Sequence, residues 1–251
     1  MSAPPGDRPR TELVLIRHGV TAWNRARRFQ GQIDVPLDAV GQSQAARTGR
    51  RLADWPLGAV YTSDLVRARQ TAEPIAARRG LATRVDARLR ERHYGSFEGR
   101  THDELERDEA DAWRRWRARD PDFALPGGGE SLRALHARVA SVLRELASRH
   151  PGQTVVAVTH GGVLDIAYRL ATGLPLEAPR THELLAAGPA DERRACGSGT
   201  GRPGGGRRAR RRAPDAGRAA RGARRAHRRR PRAHHGRRRR SGAGDAGLSP
   251  R

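Results

Sequence analysis

Two stretches of this chain place a histidine and a glycine directly after an apolar run. Leu13-Val14-Leu15-Ile16 is followed by Arg17-His18-Gly19, and the run from Thr154 to Val158 by Thr159-His160-Gly161-Gly162. Imidazole changes charge near neutral pH and serves as nucleophile or proton carrier, while a guanidinium beside it is a permanent cation suited to anions. One Arg-His-Gly triplet carries little weight in a chain this rich in arginine. Its place behind one candidate strand, matched by a second His-Gly behind another, carries more. The bland alternative for either side chain is a satisfied loop histidine.

The elements that must position these residues follow from the apolar pattern. Leu13 to Ile16 reads as a strand buried on both faces. Asp38 caps a helix to about Ala53 whose inner face is Ala45, Ala46, Gly49 and Leu52. Ala59-Val60-Tyr61 reads as a second strand, and Ser63 or Asp64 caps a helix through Ala77 that Gly80 ends. A short strand follows at 82–85. The charged stretch from Thr101 to Arg119, with Leu105, Trp113 and Trp116, reads as an exposed helical excursion within about 93–130. Glu130 begins a helix to Arg149, 154–158 is the clearest strand, and Gly161-Gly162 opens a helix with Val163, Leu164, Ile166, Ala167 and Leu170 inside. This alternation predicts a three-layer α/β/α sandwich with a mainly parallel sheet, whose ligand site lies beyond the carboxyl ends of the strands.

The 251 residues include 50 arginines and no lysine against 27 acids, a net charge of +23. Residues 1–185 carry 29 arginines and 23 acids, whereas residues 186–251 carry 21 arginines and 4 acids. From Ala186 onward there is no Val, Ile, Phe, Met, Trp or Tyr, so the expectation is a disordered tail, as for residues 1–10, around a body at 11–185. Of the tail's 66 residues, 53 are Arg, Ala, Gly or Pro, which a GC-rich gene read out of frame would yield. The other reading is a basic tail that binds nucleic acid or another polyanion. One cysteine, Cys196, excludes a disulfide scaffold. The opening lacks a signal-peptide pattern and no segment is apolar enough for a membrane span, which makes the cytoplasm the expected compartment.

The residues from Arg17 to Asn24, then Phe29-Gln30-Gly31-Gln32 and Asp34-Val35-Pro36-Leu37, resemble the opening of the histidine phosphatase superfamily, in its phosphoglycerate mutase-like branch. The segments 63–72, Leu89-Arg90-Glu91-Arg92, Gly128-Gly129-Glu130-Ser131 and Thr159-His160-Gly161-Gly162 match its later landmarks in order. Val20 stands where the family usually has glutamate. The resemblance implies that His18 attacks a phosphate ester and becomes a phosphohistidine. Arg17, Arg67 and His160 would hold the equatorial phosphoryl oxygens, with Asn24 as a neutral donor and Gln30, Gly31 and Gly161 in the substrate-binding set. The two arginines would also keep His18 neutral. Glu91 would protonate the leaving alkoxide and then activate water. No Asp/His cluster points to a metal, and the implied chemistry needs no cofactor.

The resemblance leaves two fates for phospho-His18, transfer to a bound hydroxyl acid or capture by water. Glu91-Arg92-His93-Tyr94-Gly95 resembles the mutases, but Phe97-Glu98-Gly99-Arg100-Thr101 lacks the Asn-Lys pair that follows in them, and Gly128-Gly129-Glu130-Ser131 is more like the broad-specificity phosphatases. A phosphatase acting on a small phosphorylated metabolite is therefore expected before a 2,3-bisphosphoglycerate-dependent mutase. A third reading is an inactive body carrying a polyanion-binding tail, since the family's chain continues past residues like 181–185 into a last apolar strand and this one becomes arginine-rich. For Glu91 the bland reading is pairing with Arg88, Arg90 or Arg92. For Trp113-Arg114-Arg115-Trp116 it is a helix with two ring anchors, and the remaining histidines are expected at the surface. The sequence sets neither substrate nor oligomeric state.

Overall fold

The structure, a computed structural model, describes residues 9–182. The expectations for residues 1–8 and for the arginine-rich segment at 186–251 lie outside the described residues. The elements run β1 (Glu12–Arg17), α1 (Ala22–Arg25), α2 (Ala39–Arg51), β2 (Leu57–Thr62), α3 (Val66–Arg78), β3 (Thr83–Val85), α4 (His102–Asp108), α5 (Ala110–Arg117), α6 (Leu132–Arg149), β4 (Thr154–Thr159) and α7 (Gly161–Thr172). The four strands form one parallel sheet in the order β1-β4-β2-β3.

Successive side chains of a strand point to opposite faces, and both faces of this sheet are apolar. Val60, Val156 and Val158, with Val14 and Ile16, pack against Ala68, Ala72 and Ile75 of α3. Ala59, Tyr61, Val155 and Ala157, with Leu13 and Leu15, pack against Val142 and Leu146 of α6. On one side α2 backs α3, and on the other α7 backs α6 through Val163 and Ile166 against Leu135 and Val139. This is the expected three-layer α/β/α sandwich. Parallel strands need such crossovers, and the helices seal both faces.

Four local readings change. β1 was expected to be fully buried, yet Leu13 to Ile16 are half-buried, because among the described residues only β4 pairs with it. Neither Ser63 nor Asp64 caps α3. Asp64 is bound to Arg90 and Ser63 faces His160, and the first-turn N–H of Val66 donates instead to Asp34 Oδ1 at 2.6 Å. Leu170 is exposed, while Asp165 and Arg169 of α7 are buried and paired with each other. The excursion has a core of its own, Phe29, Phe97, Leu105, Trp113, Phe123 and Leu125. The caps Asp38 and Ser131 and the capping box of Thr101 with Glu104 fix where α2, α6 and α4 start.

The α2–α3 contact is close because Gly49 has no side chain: a Cβ there would lie 2.5 Å from the Pro74 carbonyl oxygen, which is backbone and cannot yield cheaply. Gly49→Ala is expected to destabilise the fold by about 1–3 kcal/mol despite alanine's better helix propensity. Urea denaturation checks this, and an unchanged midpoint contradicts it.

Candidate active site

The sheet register brings the two histidines together. Arg17 of β1 is level with Thr159 of β4, so the next residues, His18 and His160, leave the sheet side by side. The ladder extends one step further, His18 N–H donating to Thr159 O at 2.9 Å, and the two rings lie 5.0 Å apart. Thr62 of β2 is level with Val158, which puts Ser63 next to His160, and Ser63 Oγ is 2.9 Å from His160 Nε2.

His18 is nearly fully buried, and its Nδ1 lies 2.7 Å from the carbonyl oxygen of Gly19. A carbonyl only accepts, so Nδ1 carries the proton and the neutral ring presents its lone pair at Nε2. Burial first, then the charges of Arg67 and Arg17, push the His18 pKa down to about 3, against the opposing hydrogen bond to Gly19. Gly19 is itself fixed: its N–H donates to Thr71 Oγ1 at 3.0 Å, and a Cβ on it would meet Gly41 O at 2.6 Å.

Arg67, in the first turn of α3, is completely buried and donates to the carbonyls of Ile33 (2.8 Å) and Gly31 (2.6 Å). Its Nε has no hydrogen-bond partner among the described residues. Burial works against its charge, and Glu91, Asp34 and Glu98 work for it. The loop supplying those carbonyls turns at Gly31, where φ is +51° and a Cβ would lie 2.0 Å from Glu98 Oε1. That carboxylate ties the loop to the excursion through the N–H groups of Gln32 (3.0 Å) and Tyr94 (2.9 Å).

Asn24 and Gln30 are both oriented by Thr21, one through its backbone N–H and the other through its hydroxyl. Asn24 Oδ1 accepts from the Thr21 N–H at 3.0 Å in a capping box, which fixes the amide and leaves its NH₂ as a free-standing donor. Gln30 Oε1 lies 3.0 Å from Thr21 Oγ and accepts from it, leaving Nε2 likewise. Glu91 accepts from the Gly162 N–H at 3.0 Å, at the start of α7, and from the Arg92 N–H at 2.8 Å. Backbone therefore holds Glu91, and no salt bridge to Arg88, Arg90 or Arg92 does; Arg88 and Arg90 go to Asp86 and Asp64. A Cβ on Gly162 would lie 2.3 Å from Glu91 Oε1.

A cavity of about 140 Å³ is lined by His18, Arg17, Arg67, Asn24, Gln30 and Glu91, with Gly31 beside them. A wider space of about 600 Å³ shares Arg17 and Glu91 with it and continues past Gly161 toward Trp116 and Arg180. Of the expected residues only His160 lines neither; it is wholly buried behind His18, with its Nδ1 lacking a partner among the described residues. Its pKa is held well below the ordinary value, by burial and then by His18, Arg67 and Arg17. Arg114 and Arg115 pair with Asp111 and Asp120 on the surface, as the bland reading held, while Trp113 is buried and stacked 4.8 Å from Trp116. Not every remaining histidine is superficial: His150 is buried between Tyr61 Oη and Gln153 Oε1, each 3.0 Å away, and His102 and His182 line the wider space. Sequence reasoning missed Arg28 and Tyr94 in the small cavity and Ser63 beside His160. Arg28 and Tyr94 lie outside helices and strands, so no periodicity marked them; the available signals were that Arg28 precedes Phe29 and that Tyr94 follows Glu91 by three residues in the same motif.

A neutral imidazole with an open Nε2, set among guanidinium and amide donors at the carboxyl edge of a parallel sheet, is equipped for phosphoryl transfer. The chain belongs to the histidine phosphatase superfamily (branch 1), whose pattern residues 13–189 match, and it is a phosphoglycerate mutase-like histidine phosphatase. It is 41% identical over 162 residues to phosphoglycerate mutase-like protein 4 of Arabidopsis thaliana, covering 64% of this chain and 70% of that one. It is 42% identical over 161 residues to the metal-independent phosphoserine phosphatase of the same plant, covering 63% and 67%. The solved structure of a mycobacterial glucosyl-3-phosphoglycerate phosphatase with VO3 superposes with a TM-score of 0.60 at 35% identity, covering 66% of this chain and 82% of that one.

His18, neutral when folded, takes up a proton when unfolded below about pH 6.5. Its stabilising contribution is thus complete above that pH and is lost as pH falls toward 3, by up to about 1.4 kcal/mol per pH unit, with His160 acting in the same direction. The His18 ring resonances are expected not to titrate between about pH 5 and 8. An NMR titration showing an inflection there for His18 contradicts the assignment.

Proposed function

We propose that the protein hydrolyses phosphomonoesters of small metabolites through a phosphohistidine on Nε2 of His18. The observation that carries this reading is the hydrogen bond from His18 Nδ1–H to Gly19 O, which leaves Nε2 as the nucleophile. In the first step Nε2 bonds to phosphorus as the P–O bond to the leaving group breaks, and the departing alkoxide takes a proton from Glu91. In the second step water attacks the phosphorus, gives a proton to the Glu91 carboxylate, and the N–P electron pair returns to Nε2, releasing inorganic phosphate.

The surrounding groups fit these steps. Arg17, Arg67, Asn24 and Gln30 offer donors to the phosphoryl oxygens, with Gly31 shaping the wall and Gly161 lying on the leaving-group side. His160 Nδ1, unpaired beside His18, would be satisfied by one of those oxygens. Glu91 lines both spaces, which is where a group must stand to meet the bridging oxygen. The phosphatases among the relatives act, by their names, on phosphoserine and glucosyl-3-phosphoglycerate, which supports a small phosphorylated substrate. The same reading assigns the chemistry to residues 11–185, gives the arginine-rich segment no part in it, and places the protein in the cytoplasm. No helix of the described residues is long and apolar enough to cross a membrane.

Hydrolysis of p-nitrophenyl phosphate is expected to fall by a factor of roughly 10³ or more in His18→Ala, and unchanged hydrolysis would remove His18 from the mechanism. Gly162→Ala is expected to lower kcat by roughly 10²-fold with no loss of thermal stability, because its Cβ displaces Glu91 while improving the helix. Full activity in that variant would show that the seat of Glu91 does not matter.

A further inference from the structure

The segment that carries Glu91 has no helix or strand from Arg90 to Tyr94, so no ladder fixes its backbone. Its carbonyls must be met by side chains instead. Thr159 Oγ1 donates to Leu89 O at 2.7 Å, and Gln32 Nε2 to Glu91 O at 3.2 Å. Arg138 of α6 supplies the rest: Nη1 donates to Arg88 O at 2.7 Å and to Arg90 O at 2.9 Å, and Nη2 to Glu91 O at 3.3 Å.

The remaining donors of Arg138 form a fork on Glu130, Nε to Oε1 at 2.9 Å and Nη2 to Oε2 at 2.7 Å. Every N–H of this guanidinium is thereby committed. Glu130 in turn closes on the two residues that follow Glu91. Its N–H donates to His93 O at 2.8 Å, its Oε2 accepts from the His93 N–H at 3.0 Å, and its carbonyl accepts from Arg92 Nε at 2.9 Å. Arg138 therefore holds the chain up to Glu91, Glu130 holds it from Arg92 onward, and the ion pair joins the two holds. Both side chains are about a fifth exposed. Neither lines the cavity at His18 or the wider space beside it; they line a shallow hollow with Arg88, Arg90 and His93. An ion pair serving stability alone would have no reason to spend three donors on the carbonyls around one carboxylate.

We propose that Glu130 and Arg138 act as one clamp that positions the Glu91 carboxylate, and that through it they set the rate of alkoxide departure without touching the ester. The inference rests on the reading of Glu91 as proton donor and adds two positioning residues to it. A proton donor works only within hydrogen-bond reach of the bridging oxygen, and a displacement of about 1 Å costs up to roughly 10²-fold in rate.

The test compares two monoesters on the full chain by kcat/KM, which covers the steps up to departure of the leaving group. p-Nitrophenolate leaves as a stable anion with little need of a proton, whereas the alkoxide of glycerol 2-phosphate requires one. In Arg138→Met, kcat/KM for glycerol 2-phosphate is expected to fall roughly 10²-fold and that for p-nitrophenyl phosphate less than about threefold. Glu130→Gln, which keeps the shape and removes the charge, is the independent second variant and is expected to show the same bias toward the alkyl ester. In a Glu91→Gln background, Arg138→Met is expected to cost no more than about a further twofold, because the clamp then holds a side chain with no proton to give. Equal losses on both esters, or full additivity with Glu91→Gln, overturn the proposal. A Glu91→Gln variant that loses no more on the alkyl ester than on the aryl one sinks the reading of Glu91 as donor instead. Hydrogen exchange at the Gly162 N–H then decides the clamp, since this first-turn amide donates to the Glu91 carboxylate and the helix offers it no carbonyl. Arg138→Met is expected to speed that exchange by about tenfold or more with the core amides of β4 unchanged, and exchange at the unsubstituted rate rejects the clamp.

Discussion

A guanidinium with no exposed surface and only carbonyl oxygens for partners is a costly thing to fold. Arg67 accepts that position because three parts of the chain converge on it: the first turn of α3, the loop at Gly31 and Ile33, and the carboxylates of Glu91, Asp34 and Glu98 that hold up its charge from a distance. Burial first, and then this same charge, keep the neighbouring imidazole neutral. A cation that lacks a directly bound anion in the folded protein is a standing demand for one, and a phosphoryl group meets it. In the proposed chemistry, phosphoryl binding and a neutral nucleophile would both draw on this buried charge.

The body's layered fold was legible because parallel strands buried on two faces leave continuous apolar runs, and the helices between them carry caps and 3.6-residue spacing. The histidines were legible for the same reason, since each directly follows such a run. What escaped the sequence depends on contacts between distant segments. Asp34 caps a helix that begins 32 residues later, so the local candidates Ser63 and Asp64 were the natural but mistaken choice. The half-buried state of β1 depends on how many neighbours a strand has, which no pattern within the strand records. Asp165 and Arg169 occupy buried helix positions where periodicity favours apolar side chains, because two further guanidiniums, those of Arg119 and Arg180, meet Asp165 there.

The two regions of the body divide their labour by the kind of order they possess. The sheet edge sets His18, His160 and Ser63 by backbone register. The excursion, with its small aromatic core, sets the walls of the wider space by side-chain packing. Glu98 and Glu91 couple the two, one clamping the Gly31 loop to the N–H of Tyr94, the other resting on the first turn of α7. Changes in the excursion that spare Glu98 and Tyr94 can therefore reshape the wider space while the small cavity around His18 keeps its lining.

The pairing of Arg17 with Thr159 has an implication for errors in folding. In a strand with period two, sliding β1 by one residue against β4 would turn Leu13 and Leu15 toward the helices that now receive Val14 and Ile16, and would carry His18 away from His160 in the same motion. Misalignment is thus never silent. A sheet threaded one residue out of register would lose its packing and the juxtaposition of His18 with His160 together.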